Sequence, residues 1–343
     1  MNPKAYKYLN HYLTIGGGIC LIKLALFTVT YCGLWYRGPA LSLEEQIVKA
    51  KELGFEGLSI ETKRPVALPC DLDKSRRRSI RETAESHQIE LCAVETMSNF
   101  VSPIIEEREN NLCMVKEALE LARDLEASIV KVFAAWTGTS RYEGLGTYEF
   151  ANRAFDYKRN FITSDEMWRL AVEGIRETAK WAEEYGITVA LQNHPPVINY
   201  GYEDALQMVR EVNMDNVKLC LDVPLFVDQS DEYIHRAVES CREVGIVHSH
   251  YGSHSFDLAE DGTIIIKRGI YPWMRADRVN YLAFVNELKR IGYEGFIASE
   301  ECAPVLENHK PQGIDVVDRR VKSALKYMRM LIDTGREPKI SLV

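Results

Sequence analysis

Carboxylates and imidazoles recur at the ends of short apolar runs in the C-terminal half of this chain. Asp222 closes "VKLCLDV", His248 and His250 lie in "GIVHSHY", and Glu300 with Glu301 ends "GFIASEE". Another run ends in "ALQNHPP", which sets Gln192, Asn193 and His194 ahead of two prolines. Upstream, Glu61, Glu95 and Lys131 occupy the same kind of position. Burying two carboxylates beside an imidazole is costly, because like charges repel and desolvation disfavours ionisation, unless a cation compensates. Carboxylate, imidazole and carbonyl oxygen donors suit a divalent ion such as Mn²⁺ or Mg²⁺, with Co²⁺ or Zn²⁺ as alternatives, and do not suggest a thiolate site. Strand alternation sends His248 and His250 to the same side, so spacing does not choose between them. His250 lies nearer the C-terminal rim and is the expected ligand. Glu61 is expected to pair with Lys63 or Arg64, and Lys131 with a neighbouring carboxylate.

The elements that must position these groups alternate along the chain. Strand-like runs fall at 24–33, 55–62, 89–96, 128–136, 187–194, 217–223, 245–251 and 295–301, and amphipathic patterns of helical period lie between them. "SLEEQIVKAKELG" carries a capping box in Ser42 and Glu45 and ends on Gly54, and Ser164 with Asp165 marks the start of a later helix. Eight such strand and helix pairs in 343 residues predict an α/β fold of the (β/α)8 TIM-barrel type, a single domain with insertions at 137–163 after strand four and 252–276 after strand seven. The expected division is an N-terminal extension over 1–22, a catalytic barrel over 23–335 and a tail over 336–343. In this fold the C-terminal strand ends converge, so the polar residues form one set.

Composition narrows the function classes. The chain is 46% hydrophobic and 27% charged, enough to build a large core. A formal net charge of -8 argues against a nucleic-acid partner, and the basic cluster "KSRRR" at 74–78 reads as a solvated helix face. Eight scattered cysteines without a C-x-x-C pair fit a cytoplasmic protein. The apolar stretch before Lys23 imitates a signal peptide but has no A-x-A site, and no run reaches the ~20 residues of a membrane span.

"QNH" after strand five, "LDV" after strand six, "HSH" on strand seven and "GYEGFIASE" into strand eight resemble the sugar phosphate isomerase and epimerase superfamily of xylose-isomerase-like TIM barrels. The resemblance implies one divalent metal, held at the matching positions by Gln192, Asp222, His250 and Glu300. Gln192 departs from the glutamate of the pattern. In ketose 3-epimerases of this superfamily the first and last glutamates also transfer the two protons. An amide can offer its oxygen to a metal but cannot shuttle a proton at neutral pH.

A narrower resemblance lies in "TVTYCGLWYRGPALSLEEQI", "KRPVALP", "CAVETMSNFVSPI", "ALQNHPPV", "GYEDAL", "CLDVPLF" and "SEECAPV". These segments are similar to the large catalytic subunit of bacterial C-glycoside deglycosidases, in the carminate-related branch. This implies a lyase that uses Mn²⁺ on 3-oxo-C-glycosides and pairs with a small β-rich second subunit in a hetero-oligomer. A C3 ketone acidifies the C2 proton, and its loss can expel the aglycone from C1. His194 is the expected base, Gln192 a ligand, and Glu300 both ligand and proton-transfer group. Glu95, Lys131 and His254 are candidate substrate contacts. Tyr31, Trp35, Tyr36, Phe133, Trp136, Tyr271 and Trp273 would stack on a flat aglycone, and Arg37 could bind a carboxylate. The alternatives are a metal-dependent keto-sugar isomerase or epimerase, an inosose-type dehydratase, and a sugar-binding barrel with a decayed metal site. An apurinic endonuclease of the same fold is disfavoured by the acidic charge.

Overall fold

The computed structural model describes residues 22–267 and 278–342. Each of the eight expected runs contributes a strand: β1 Ile22–Phe27, β2 Gly57–Glu61, β3 Glu90–Glu95, β4 Ile129–Val132, β5 Thr188–Gln192, β6 Val217–Cys220, β7 Ile246–Gly252 and β8 Gly295–Glu300. All are parallel, and pairing of β1 with β8 closes them into a barrel. The strands are shorter than the apolar runs. Where the first run was expected to continue to residue 33, a 3-10 turn at Thr28–Tyr31 takes over. The Glu61 amide donates to Thr28 Oγ1 and the Glu301 amide to Thr30 Oγ1, so this turn is tied to the ends of β2 and β8.

The helices outside the barrel are α1 Leu43–Leu53, α2 Lys74–His87, α3 Ile105–Leu125, α4 Ser164–Glu184, α5 Glu203–Val212, α6 Asp231–Cys241, α7 Tyr281–Arg290 and α8 Ile314–Thr334. Ser42 and Glu45 form the expected capping box, and Gly54 ends α1 in the left-handed region. The cap of α4 is Thr163 rather than Ser164, which is already helical. The basic cluster opens α2, where Arg76 and Arg77 pair with Glu44 and Asp124. Among the described residues, no helix is long and apolar enough to cross a membrane, and the seven cysteines are free.

Both insertions lie on the C-terminal face. The first forms a hairpin, Ser140–Tyr142 with Leu145–Thr147, and then a short helix Glu149–Lys158. In the second, Phe256–Leu258 pairs antiparallel with Ile264–Ile266, and Ile340–Leu342 adds in parallel as a third strand. The chain beyond residue 335 therefore packs back onto an insertion. The sequence extension falls on residues 1–21, and Tyr271 and Trp273 on 268–277, all outside the described residues; Ile22 already belongs to β1.

Register places the site. Glu61 lies beside Glu95, Glu95 beside Lys131, Gln192 beside Cys220, and Ala298 beside His250. The first hairpin is set by a close approach: Gly146 N–H donates to Leu34 O at 2.6 Å, and a Cβ there would stand 2.6 Å from the Trp35 ring. Trp35 is fully buried and packs on Tyr148 at 5.1 Å between centroids. Gly146→Ala is expected to lower stability by about 1–3 kcal/mol through overpacking, read by thermal or denaturant unfolding. Wild-type stability in that variant would mean that the hairpin is not held against Trp35.

Candidate functional site

The C-terminal ends of β2 to β8 meet in a cavity of about 600 Å³. Its floor carries Glu61, Glu95, Lys131, Gln192, His194, Asp222, His250 and Glu300, and its upper wall Phe133, Trp136, Tyr148, Phe155 and Tyr200. His250 is the centre of the floor. Its Nδ1 lies 3.0 Å from Asp222 Oδ2, its Nε2 lies 3.0 Å from Glu95 Oε1, and its backbone N–H donates to Asp222 Oδ1 at 2.8 Å. Burial pushes its pKa down, but Glu95 and Asp222 outweigh this and hold it well above the ordinary imidazole range. Burial likewise pushes both carboxylates up, and His250, joined by Lys131 at Glu95, holds them below their ordinary range. In the metal-free chain His250 is thus an imidazolium between two carboxylates.

Glu95 is held from four sides. The Ser59 hydroxyl donates to it, His248 Nε2 stands 3.4 Å from Oε1, His250 is on the same oxygen, and Lys131 Nζ lies 3.2 Å from Oε2. His248 sits in the barrel beneath this layer, so depth selects His250 as the imidazole facing the cavity. Glu61 pairs with Lys63 at 2.7 Å, as its neighbourhood in sequence suggested.

The donor set can accommodate a divalent ion. Gln192 Nε2 donates to Asp222 Oδ2 at 2.5 Å, which leaves Gln192 Oε1 buried without a hydrogen-bond partner. A buried amide oxygen without a hydrogen-bond partner, next to a carboxylate and an imidazole, has the donor chemistry of a divalent-metal ligand. With His250 neutral and Glu300 ionised, the floor sets Glu61, Glu95, Asp222 and Glu300 against Lys63 and Lys131, and one divalent cation would balance the remaining charge. Two tight groups share His250: Glu95 with His248, and Cys220 with Asp222, each bringing three ligand atoms within 4.8 Å of one another. Cys220 Sγ lies 3.6 Å from both Asp222 and His250, but burial pushes its thiol up to about 12 and keeps it protonated. Glu300 stands at the cavity from β8, and burial raises it to about 7.

His194 faces the same cavity from the end of β5. Its Nδ1 bonds the Pro195 carbonyl, which leaves the Nε2 lone pair to accept a proton. Burial lowers its pKa to about 4, so it is neutral at physiological pH. Its ring is clasped edge-on by Phe133 at 5.1 Å and Trp136 at 5.3 Å. Asn193 faces away and joins two strand ends: its Nδ2 donates to the Gly201 and Asp222 carbonyls, and its Oδ1 accepts the Asp222 N–H at 2.7 Å.

Several aromatic expectations are corrected. Tyr31 is fully buried, and its hydroxyl donates to Asp318 on α8 at 2.6 Å. Tyr36 bonds the Pro39 carbonyl, and Trp35 packs behind Tyr148. None of the three borders the cavity: Tyr31 turns toward α8, Trp35 packs on the first insertion, and Tyr36 folds back on its own loop. Arg37 is exposed. Phe133 and Trp136 do border it, stacked at 4.8 Å. His254 also lies on the wall, where its Nε2 accepts the Cys302 N–H at 3.0 Å. Tyr148, whose hydroxyl donates to Cys302 O at 2.6 Å, escaped the sequence reading, as did Cys220 and Ser59. Cys220 carried a signal: it ends β6 two residues before Asp222, on the same side of the extended chain.

A sequence profile of xylose isomerase-like TIM barrels matches residues 47–331. An uncharacterized protein of Methanocaldococcus jannaschii, MJ1311, is 22% identical over 226 residues, spanning 64% of this chain and 67% of that protein. Among solved structures, D-psicose 3-epimerase from Clostridium cellulolyticum H10 is 20% identical, with a TM-score of 0.63 over 90% of this chain and 99% of that one. The 3-keto-D-glucoside 4-epimerase YcjR from E. coli is 16% identical, with a TM-score of 0.61 over 91% and 100%. The IolI protein with a bound zinc atom is 20% identical, with a TM-score of 0.60 over 92% and 99%. At these identities the likeness is one of fold.

Because Asn193 bonds both the N–H and the C=O of Asp222, Asn193→Ala removes the brace that aims this carboxylate. It is expected to cost roughly 1–3 kcal/mol of stability and to weaken divalent-metal binding roughly 10–100-fold, measured by unfolding and by titration against a chelator. Unchanged metal affinity in the folded variant would show that Asp222 does not need the brace.

Proposed function

This chain belongs to the family of xylose isomerase-like TIM barrels, and we propose that it catalyses metal-dependent proton transfer at a carbon next to the carbonyl of a keto-sugar. The observation that carries this reading is the meeting of Gln192, Asp222, His250 and Glu300 with the neutral imidazole of His194 on one cavity floor. Gln192 Oε1, Asp222, His250 and Glu300 would hold the cation, with Mn²⁺ the first candidate. A bound cation would supply Lewis acidity that makes the carbon next to a carbonyl easier to deprotonate. His194 Nε2 takes the proton, and the Nδ1 bond to Pro195 keeps the imidazole oriented as it does so. Glu300, from β8, is the second group able to exchange a proton. The E. coli relative of the same fold is named for a 3-keto-glucoside substrate, which agrees with a keto-sugar ligand.

The finer reading is C–C lyase activity on a 3-oxo-C-glycoside, and two features favour it over epimerisation of a free sugar. Gln192 stands where a second proton-transferring carboxylate would be needed, leaving one carboxylate and one imidazole. The cavity also continues above the floor into the wall of Phe133, Trp136, Tyr148, Phe155 and Tyr200, and its volume suits a ligand of more than one ring. On this path the C2 proton goes to His194, the electron pair forms the C1–C2 double bond, and the aglycone carbon leaves C1 with its pair and takes a proton from the carboxyl of Glu300. The small β-rich second subunit and a cytoplasmic location belong to the same proposal.

The deciding experiment supplies the Mn²⁺-loaded protein in D₂O with a 3-oxo-C-glucoside, a 3-keto-O-glucoside and a free ketohexose, with and without a co-expressed small partner. Aglycone release marks the lyase; an epimer or deuterium incorporation without release marks the isomerase or epimerase. His194→Gln is expected to retain metal and lose roughly 10²–10⁴-fold in rate, and full turnover by it would remove His194 as the base. Gln192→Glu restores the second carboxylate and is expected to gain 3-epimerisation of the free ketose. A variant that binds metal without that gain would show that the amide is not what blocks a two-base cycle.

A further inference from the structure

Lys131 is the one buried ammonium of the floor, 1% exposed, and its tip borders the cavity. The register of β3 and β4 places it beside Glu95, whose Oε2 lies 3.2 Å from Nζ. That carboxylate is heavily shared, since Ser59 donates to its other oxygen and both His248 and His250 approach it. On its other flank Lys131 Nζ lies 3.6 Å from the centre of the Phe133 ring, the ring that also packs on His194. An ammonium has three N–H donors. The contact with Glu95 and the face of Phe133 fix its position, and Lys131 lines the cavity that His194 also borders, so the ammonium retains donor capacity for a ligand there.

Resting on the proton-transfer reading above, we infer that Lys131 is a catalytic residue that binds and protonates the oxygen on which negative charge develops when His194 removes the neighbouring proton. The C–H bond breaks and its proton moves to His194 Nε2. The electron pair becomes a C=C bond while the carbonyl electrons move to oxygen, and a Lys131 N–H donates to that oxygen. Complete transfer leaves an enol and a neutral amine, and the reverse returns both protons, so nothing is oxidised or reduced. A cation fixed at this position before the reaction begins stabilises the developing charge without reorganising. The Phe133 ring serves the same end, since a cation on an aromatic face keeps its place with only one carboxylate neighbour. A purely structural role would need only the contact with Glu95, whereas Lys131 also lines the cavity and lies on the face of the ring that packs on His194.

The test has two arms on the full chain loaded with Mn²⁺. In the first, Lys131→Met, and Lys131→Ala with and without ethylammonium, are followed by deuterium exchange into a 3-keto-glucoside. The expected result is a loss of roughly 10²–10³-fold in kcat, a KM and metal content close to wild type, and partial rescue of Lys131→Ala by ethylammonium. In the second, calorimetry measures binding of oxalate, a planar dianion resembling an enediolate, and of neutral glucitol. Lys131→Met is expected to weaken oxalate at least about tenfold and to leave glucitol nearly unchanged. Wild-type oxalate affinity in the metal-loaded variant, or loss of its metal, would overturn the assignment. Absence of exchange by the wild-type protein would instead remove the proton-transfer reading, and the oxalate arm would still decide whether Lys131 is an anion-binding group.

Discussion

A buried imidazole between two carboxylates governs the upper half of this barrel. Asp222 and Glu95 approach His250 from opposite sides at 3.0 Å, in an interior where an unbalanced charge interacts strongly. Neither carboxylate would stay ionised alone at that depth. The groups around them follow from this constraint: Asn193 and the His250 backbone brace Asp222, while Ser59, His248 and Lys131 surround Glu95. With the proton on His250 the arrangement is satisfied; with a divalent ion in its place, Gln192 Oε1 gains a partner as well. If the proposed ligand set binds a divalent ion, that binding would displace the proton that the two carboxylates favour on His250.

The barrel makes such a cluster affordable by separating it from the rest of the core. Below the rim the strand residues are aliphatic and fully buried, Leu24, Leu58, Val130 and Leu219 among them. The polar layer begins where pairing ends, at Glu61, Glu95, Lys131 and Gln192, each within a residue of its strand terminus. The first insertion then roofs this layer with aromatic rings. Tyr148 is buttressed by Trp35 and anchored on Cys302 just after β8, so the roof is tied to the barrel at both its entry and its far side.

What was legible in the sequence follows the physics of strand ends. Parallel alternation and the TIM topology place Asp222, His250 and Glu300 together without any knowledge of contacts, and the pair "HSH" resolves once the depth of each residue is known. The misreadings fall where the chain leaves regular structure. A ring in a turn or loop can face the cavity or pack away from it, and no period distinguishes the two, so Tyr31, Trp35 and Tyr36 read as stacking surface although each packs on or bonds to neighbouring chain. Tyr148 lies in an insertion without periodicity, and only the fold brings it over the mouth. Glu95 and Lys131 had a signal that is weak singly and strong as a pair: a lone charge of each sign inside adjacent apolar strands.

Gln192 reveals most about how the site differs from a symmetrical one. A glutamate there would add a fourth ionised group within reach of Asp222 and could take a proton from the face opposite Glu300. The amide instead donates to Asp222 and presents a neutral oxygen, so it retains ligand capacity and gives up acid-base capacity. On the proposed mechanism the base is His194, two residues further along the chain and packed against Phe133 and Trp136. A base at that position would act on a carbon close to the aromatic wall, which in the proposed reaction would hold the departing ring. The exchange of a carboxylate for an amide and the aromatic enclosure of His194 are the two features on which the proposed lyase chemistry rests, since both suit a reaction that removes one proton and expels a group.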